Sequence, residues 1–138
     1  MLAIETARGA PSRSGAVATA AQWLALCDRQ ARSRLAWARL FERFDVVIAP
    51  PASTVAFAHD ARPFDERTIE IDGVTAPYDA QIAWAGIATW PGLPATCVPV
   101  TRDADGMPIG VQVIGAAFDD RLTIAVADRI ASTLGSRP

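Results

Sequence analysis

LPATCVPVTRDADGMPIGVQVIG, residues 93–115, holds two short apolar runs around a polar connection. Ala95–Val98 and Ile109–Ile114 read as strands. Successive strand side chains alternate, so Ile109, Val111 and Val113 share one face and Gly110, Gln112 and Ile114 the other. Asp105-Gly106 tolerates positive φ, which makes the connection a turn. Pro99 either ends the first strand or occupies a position that needs no ladder donor. Directly downstream, Leu122, Val126, Ile130 and Leu134 repeat at i+4. Asp119 and Asp120 stand where carboxylates complement a helix N-terminus, and Gly135 where a C′ glycine belongs. The spacing predicts a hairpin followed by a helix.

Upstream, Val46, Val47 and Ile48 form a continuous apolar run closed by Pro50 and Pro51, the pattern of a short buried strand. A helical period precedes it over Gly15–Phe44, with Ser14 as the expected N-cap. Val17, Ala20, Leu24, Cys27, Ala31, Leu35, Ala38 and Phe41 recur at spacings of three and four and share a face. Trp23, Leu26, Trp37, Leu40 and Phe44 form a second stripe, and Arg29, Arg32, Arg39 and Arg43 fill the solvated remainder. Residues 52–79 are the least regular part. Within them RTIEIDGV predicts an extended hairpin around Asp72-Gly73. Residues 79–90 predict a short helix with Asp79 near its start, stopped by Pro91 and Gly92. Residues 1–14 read as an irregular arm ahead of a domain over 15–138. Strands separated by helices place the chain in the α/β class.

The chain has 138 residues, 51% of them hydrophobic and 20% charged, enough for one domain with a core. A net charge of −2 gives no electrostatic case for a nucleic-acid partner. All thirteen basic residues are arginine, so the chain alone runs no mechanism that needs a lysine amine. Two isolated cysteines, Cys27 and Cys97, and a single histidine, His59, form no metal-ligand pattern, and no metal is expected. Unpaired cysteines fit a reducing, cytoplasmic setting. No apolar run is long enough for a membrane span. AVATAAQWLALC (residues 16–27) is not read as a lipoprotein signal, because Leu26 is too large and the helical period continues past Cys27.

The sequence carries few signs of chemistry. His59 with Asp60 or Asp65 and a serine would make a triad on paper, but no GxSxG supports it, and an exposed loop histidine is the plainer reading. Asp65, Glu66, Glu70 and Asp72 alternate with arginines and turn residues, as a solvated loop does. Asp103 and Asp105 belong to a turn. The glycines form neither GxGxxG nor a phosphate loop. Trp84 and Trp90, six apart beside Pro91, serve either ordinary packing or an apolar pocket wall. Cys97 reads as a small core residue.

The order of several stretches resembles the C-terminal part of amidase-signature enzymes. They are FERFDVVIAP (41–50), ATWPGLPATCVPV (88–100), DGMPIGVQVIG (105–115) and FDDRLTIAVADRI (118–130), and the resemblance covers residues 16–134. It implies a partial mixed β-sheet flanked by helices, cut from a larger sheet. It implies hydrolysis of carboxylic amides through a Ser–cis-Ser–Lys triad, with no cofactor. In the family those residues lie upstream of the matched region. This chain has no lysine and no Gly/Ser-rich signature, so no catalytic residue carries over, and the chain alone is predicted inactive. The loop after FDVVIAPP and the stretch before GLPA contribute to substrate cavities in the family. That makes Phe57, Trp84, Thr89 and Trp90 substrate-pocket candidates, Thr89 standing near a position where the family commonly has asparagine.

Three functional expectations follow. One is a C-terminal fragment of an amidohydrolase whose partner is the upstream half, in the same or a separate chain. Another is a stand-alone non-catalytic domain that self-associates or binds a partner, since a cut sheet leaves an open edge and an uncovered apolar face. A small hydrolase built on His59 is the third and weakest. No nucleic acid or membrane partner is expected.

Overall fold

A computed structural model describes residues 18–135. The elements in order are α1 (Ala20–Phe41), β1 (Val46–Ala49), β2 (Thr68–Ile71), β3 (Val74–Pro77), α2 (Ile82–Thr89), β4 (Ala95–Arg102), β5 (Pro108–Gly115) and α3 (Asp120–Leu134). Short 3-10 turns at Phe64–Glu66 and Tyr78–Gln81 lead into β2 and α2. The arm expected over residues 1–14, the Ser14 cap and Val17 lie outside the described residues.

The segment 93–115 forms the predicted hairpin and organises the rest. β5 is the middle strand of a three-stranded sheet in the order β1-β5-β4, and both of its ladders are antiparallel. β4 does not stop at Pro99. It runs on to Arg102 through a register shift between Pro99 and Thr101, which accommodates a residue that cannot donate to a ladder. In the connection, Asp103 Oδ1 accepts from the backbone N–H groups of Asp105 and Met107, and Gly106 takes φ +80°. That is the turn Asp105-Gly106 predicts.

α3 packs on one face of this sheet. Val98 of β4, Val113 of β5 and Ala127 of α3 are its buried centre, with Val46, Val111, Val126, Ile130 and Ala131 around them. Thr96 and Thr123 bond hydroxyl to hydroxyl at 2.9 Å, and Thr123 also donates to the Asp120 carbonyl at 2.8 Å. The ends of α3 are as the sequence predicts: Asp119 is the N-cap residue and Gly135 caps the C-terminus at φ +67°. Its buried face overlaps the predicted one at the centre: Val126 and Ile130 pack beside the buried Thr123 and Ala127, while Leu122 and Leu134 at the ends of the row are exposed. A strict i+4 row drifts around a 3.6-residue helix, so its ends leave the contact face.

α1 starts later than the sequence reading has it. Thr19 is the cap, in a reciprocal capping box with Gln22, and the helix ends at Phe41 rather than Phe44. Neither stripe is covered along its whole length. Leu26, Trp37 and Leu40 of the second stripe and Phe41 of the first are half-buried. Leu24 and Leu35 of the first stripe are 67% and 62% exposed and Trp23 of the second 61%, and no residue of α1 is buried. Two side-chain bonds tie α1 to the α2–β4 turn, Gln30 Nε2 to the Trp90 carbonyl at 2.7 Å and Arg34 Nε to the Pro91 carbonyl at 2.8 Å.

β1 is not the buried strand predicted. It is an edge strand with Ile48 55% exposed, because no described element covers its outer side. The β2–β3 hairpin is as predicted, with Asp72 at φ +52° and Gly73 at φ +76°, the two positive values a type I′ turn requires. The expected helix over residues 79–90 is a 3-10 turn followed by α2 proper.

Candidate functional site

The second face of the sheet carries the polar contact that matters most for the loops. Gln112 alternates with Val111 and Val113 and so points away from α3. It is almost wholly buried. Its Nε2 donates to the Pro50 carbonyl at 2.8 Å and to the Trp84 carbonyl at 2.9 Å. One amide thereby fixes the exit of β1 to the first turn of α2. Everything between residues 50 and 84 is a loop suspended from that bond pair, including the 3-10 turns and the β2–β3 hairpin.

The loop folds around Tyr78. Phe57 and Phe64 meet the Tyr78 ring edge-to-face at centroid distances of 5.9 and 5.6 Å, and the Arg67 guanidinium lies 5.7 Å from its centre. Beside this cluster is a cavity of about 370 Å³ bounded by residues 54–58, Asp60, residues 68–70 and Tyr78. Asp60 is tied to Arg62: guanidinium Nη2 donates at 2.6 Å, Nε at 3.0 Å and the backbone N–H at 3.0 Å. These bonds hold the Asp60 carboxyl down at about 2. The folded value lies below the unfolded one, so what the pair contributes is present above the ordinary carboxylate range and is lost as pH falls toward 2. In a carbon-detected NMR titration Asp60 is expected to titrate near 2, and Arg62→Ala to raise it part of the way toward the ordinary carboxylate range, because the backbone N–H of residue 62 and Arg67 remain. A midpoint unchanged by that substitution would show that Arg62 is not the cause.

A second and larger concavity, about 910 Å³, lies between the C-terminal half of α1, the turn at Pro91–Leu93 and the β5–α3 turn at Ala116–Phe118. Its lining is apolar apart from Arg34 and Glu42.

The four predicted pocket residues do not meet in one cavity of the described chain. Phe57 lines the smaller one. Trp84 is half-buried and contributes its carbonyl to Gln112. Thr89 spends its hydroxyl on the Ala85 carbonyl within α2. Trp90 is partly exposed, and its carbonyl takes the Gln30 bond. Sequence reasoning passes over Tyr78, Gln112 and Phe118. A lone amide among Val and Ile on a central strand is a usable signal for Gln112. Phe118, at positive φ in a tight turn, has none.

His59 is exposed in the loop, and no hydrogen bond joins it to a serine or a carboxylate among the described residues. Cys27 and Cys97 are both exposed free thiols, so Cys97 is not the core residue expected. It lies on the half of the second face, next to Ala95 and Pro99, that no described element covers. Among the described residues no cluster of three metal-ligating side chains occurs, and no helix is long and apolar enough to cross a membrane.

Comparison with known proteins gives a consistent result. The model of the Amidase family matches residues 6–124. A glutamyl-tRNA(Gln) amidotransferase subunit of Gluconobacter oxydans (strain 621H) is 37% identical over 93 residues, which is 67% of this chain and 17% of that protein. Human fatty-acid amide hydrolase 2 is 39% identical over 62 residues, 45% of this chain and 11% of that one. A solved structure described as a vestigial protein complex revealing the evolutionary origins of an s-triazine catabolic enzyme superposes with a TM-score of 0.70 at 27% identity, covering 88% of this chain and 26% of that chain. An amidase crystal structure superposes at TM-score 0.71 and 21% identity and shares the fold. The matched part is thus between about a tenth and a quarter of the length of these relatives.

Proposed function

The chain belongs to the amidase family, and from that premise we propose that residues 15–138 are the C-terminal segment of an amide-hydrolysing domain. The observation that carries this reading is the mismatch between composition and burial. Six hydrophobic residues are buried among the described residues, whereas fifteen large ones are exposed, Phe118 at 96% among them. A self-sufficient domain rarely leaves so many large apolar side chains in water for so small a buried core. A family member aligned over a quarter of a neighbour's length has the remainder of that fold available to cover it.

In this reading the groups that break the amide bond stand on the upstream part, in the same or a separate chain. The present segment contributes the sheet edge, the Gln112 tie, the loop that carries Phe57 and the helix α2 with Trp84, Thr89 and the adjoining Trp90, as candidate walls of the substrate cavity. The amidotransferase relative is by name one subunit of an assembly, and an assembly partner for this chain is proposed on the same footing. The setting proposed is cytoplasmic. A second reading, a stand-alone domain that self-associates, draws on the exposed apolar side chains of α1.

The 138-residue chain by itself is expected to hydrolyse no aliphatic or aryl amide above a matched blank, measured by ammonia release. Turnover that persists through repurification, and is lost in His59→Ala, would sink the proposal and revive the small-hydrolase reading. Intact-mass measurement of the native polypeptide separates the two favoured readings. A mass several times 14.6 kDa supports the amidase segment, and one near 14.6 kDa without a bound amidase chain supports the stand-alone domain.

A further inference from the structure

We propose that the free edge of β2, with the cavity it borders, binds a short peptide-type amide in extended form, whether or not the amide-breaking groups lie upstream. Among the described residues β2 pairs only with β3. Along an antiparallel pair, residues that exchange both hydrogen bonds alternate with residues whose N–H and C=O point away from the partner strand. The Tyr78 N–H donates to the Arg67 carbonyl at 3.2 Å, which fixes the phase. In steps of two, Ile69 with Ala76 and Ile71 with Val74 are then the bonded pairs, as the two-residue turn at Asp72-Gly73 requires. Thr68 and Glu70 fall between them. Pro77, which has no N–H to give, stands opposite Thr68, where the ladder needs none. Thr68 and Glu70 therefore each turn one N–H and one C=O outward, and among the described residues none of these four groups has a partner.

Both residues line the cavity of about 370 Å³. An exposed strand edge usually meets bulk water or another chain. This edge instead borders a recess whose other walls are residues 54–58, Asp60 and Tyr78 of the same chain. Its volume is at the low end of small-ligand sites and suits a capped dipeptide rather than a strand that brings its own sheet. Donor and acceptor groups repeated every second residue match those of an extended peptide.

The rest of the lining narrows the class. Phe57 and Tyr78, edge-to-face at 5.9 Å, supply an aromatic wall for an apolar side chain. The charged residues at the cavity are Glu70 and Asp60, the latter kept ionised by Arg62, and no basic residue lines it. A neutral, amide-capped ligand fits that field, and one ending in a carboxylate is repelled.

Hydrogen exchange read residue by residue, on the chain in the form its source cells make it, tests this with N-acetyl-phenylalanyl-alaninamide as the probe. With the probe at about ten times its Kd, the N–H groups of Thr68 and Glu70 are expected to exchange roughly tenfold more slowly. Thr75, whose N–H turns outward on the opposite edge of the hairpin, serves as the control and is expected to stay unchanged. The same probe methylated on both backbone amide nitrogens is expected to bind at least roughly fivefold more weakly, the effect of one lost hydrogen bond. The free acid is also expected to bind more weakly than the amide, and Glu70→Gln to narrow that gap. Thr68→Pro removes one outward donor and no ladder bond, and Arg67 already has the extended ψ of 144° that precedes a proline. It is expected to weaken the probe by roughly fivefold while moving the melting temperature by about 2 °C or less. If that variant fails to fold, the methylated probe still decides. No saturable binding below about 10 mM, unchanged exchange at Thr68 and Glu70, equal slowing at Thr75, or a methylated probe as tight as its parent overturns the proposal.

Discussion

Gln112→Glu is expected to destabilise the chain by about 3–5 kcal/mol at neutral pH, the cost of a buried charge with no partner. The substitution keeps the side chain's size and exchanges the Nε2 donor for an anionic oxygen. That oxygen would face the Pro50 and Trp84 carbonyls at the 2.8 and 2.9 Å separations the native amide bridges. Three acceptors with no proton between them repel. The new carboxyl is therefore pushed upward in pKa when folded. Protonated, it regains one O–H donor, so the loss should shrink as pH falls below the raised folded value. Gln112→Leu separates charge from hydrogen bonding. It forfeits two ordinary hydrogen bonds, about 1 kcal/mol each, and its deficit should not vary with pH. Thermal unfolding followed by circular dichroism between pH 5 and 8 reads both. A pH-independent loss in the glutamate variant, equal to that in leucine, would mean the amide merely fills space.

The Gln112 tie also shows which parts of this architecture are legible in the sequence. The hairpin and α3 can be read because their signals are local: alternation along β5, Asp105-Gly106 in the connection and Gly135 as a cap. The type I′ turn at Asp72-Gly73 is equally local. What cannot be read is which apolar face has a neighbour. Both stripes on α1 are apolar by pattern, and each leaves large side chains in water, Leu24 and Leu35 on one and Trp23 on the other. The apolar run of β1 has the composition of a buried strand, yet the strand is an edge of the described sheet. Cys97 departs from expectation for the same reason. Periodicity marks surfaces that want covering and carries no record of whether the cover is on the same chain.

The candidate site divides along that line too. Of the four pocket candidates, Phe57 borders the smaller cavity of the described residues. The resemblance also points to Trp84, Thr89 and Trp90, yet among the described residues their groups serve α2 and its ties to Gln112 and Gln30. Tyr78 organises the loop through two edge-to-face contacts that no spacing rule foretells, because Phe57 and Phe64 approach it from separate turns.

The second large effect is expected at Gly115, where β5 passes closest to α3. A Cβ added there would lie 2.7 Å from Thr123 Cγ2, inside any real carbon–carbon contact. Thr123 cannot swing aside. It is buried, and its hydroxyl is committed to Thr96 at 2.9 Å and to the Asp120 carbonyl at 2.8 Å. Strand propensity alone would favour alanine or valine over glycine at this position, so a loss on substitution isolates the packing conflict. Gly115→Ala is expected to cost about 2–3 kcal/mol, and valine more, as overpacking at a rigid contact does. Thr123→Ser removes the offending methyl and keeps both hydroxyl bonds. In that background Gly115→Ala should cost at least about 1 kcal/mol less, a coupling that a double-mutant cycle in urea measures directly. Additive losses would place the strain elsewhere, and the helix would then be free to ride outward from the sheet. The sheet–helix spacing is thus set at one glycine and one threonine. Phe118 lies on the turn between them, so any shift there moves one wall of the larger concavity beside α1.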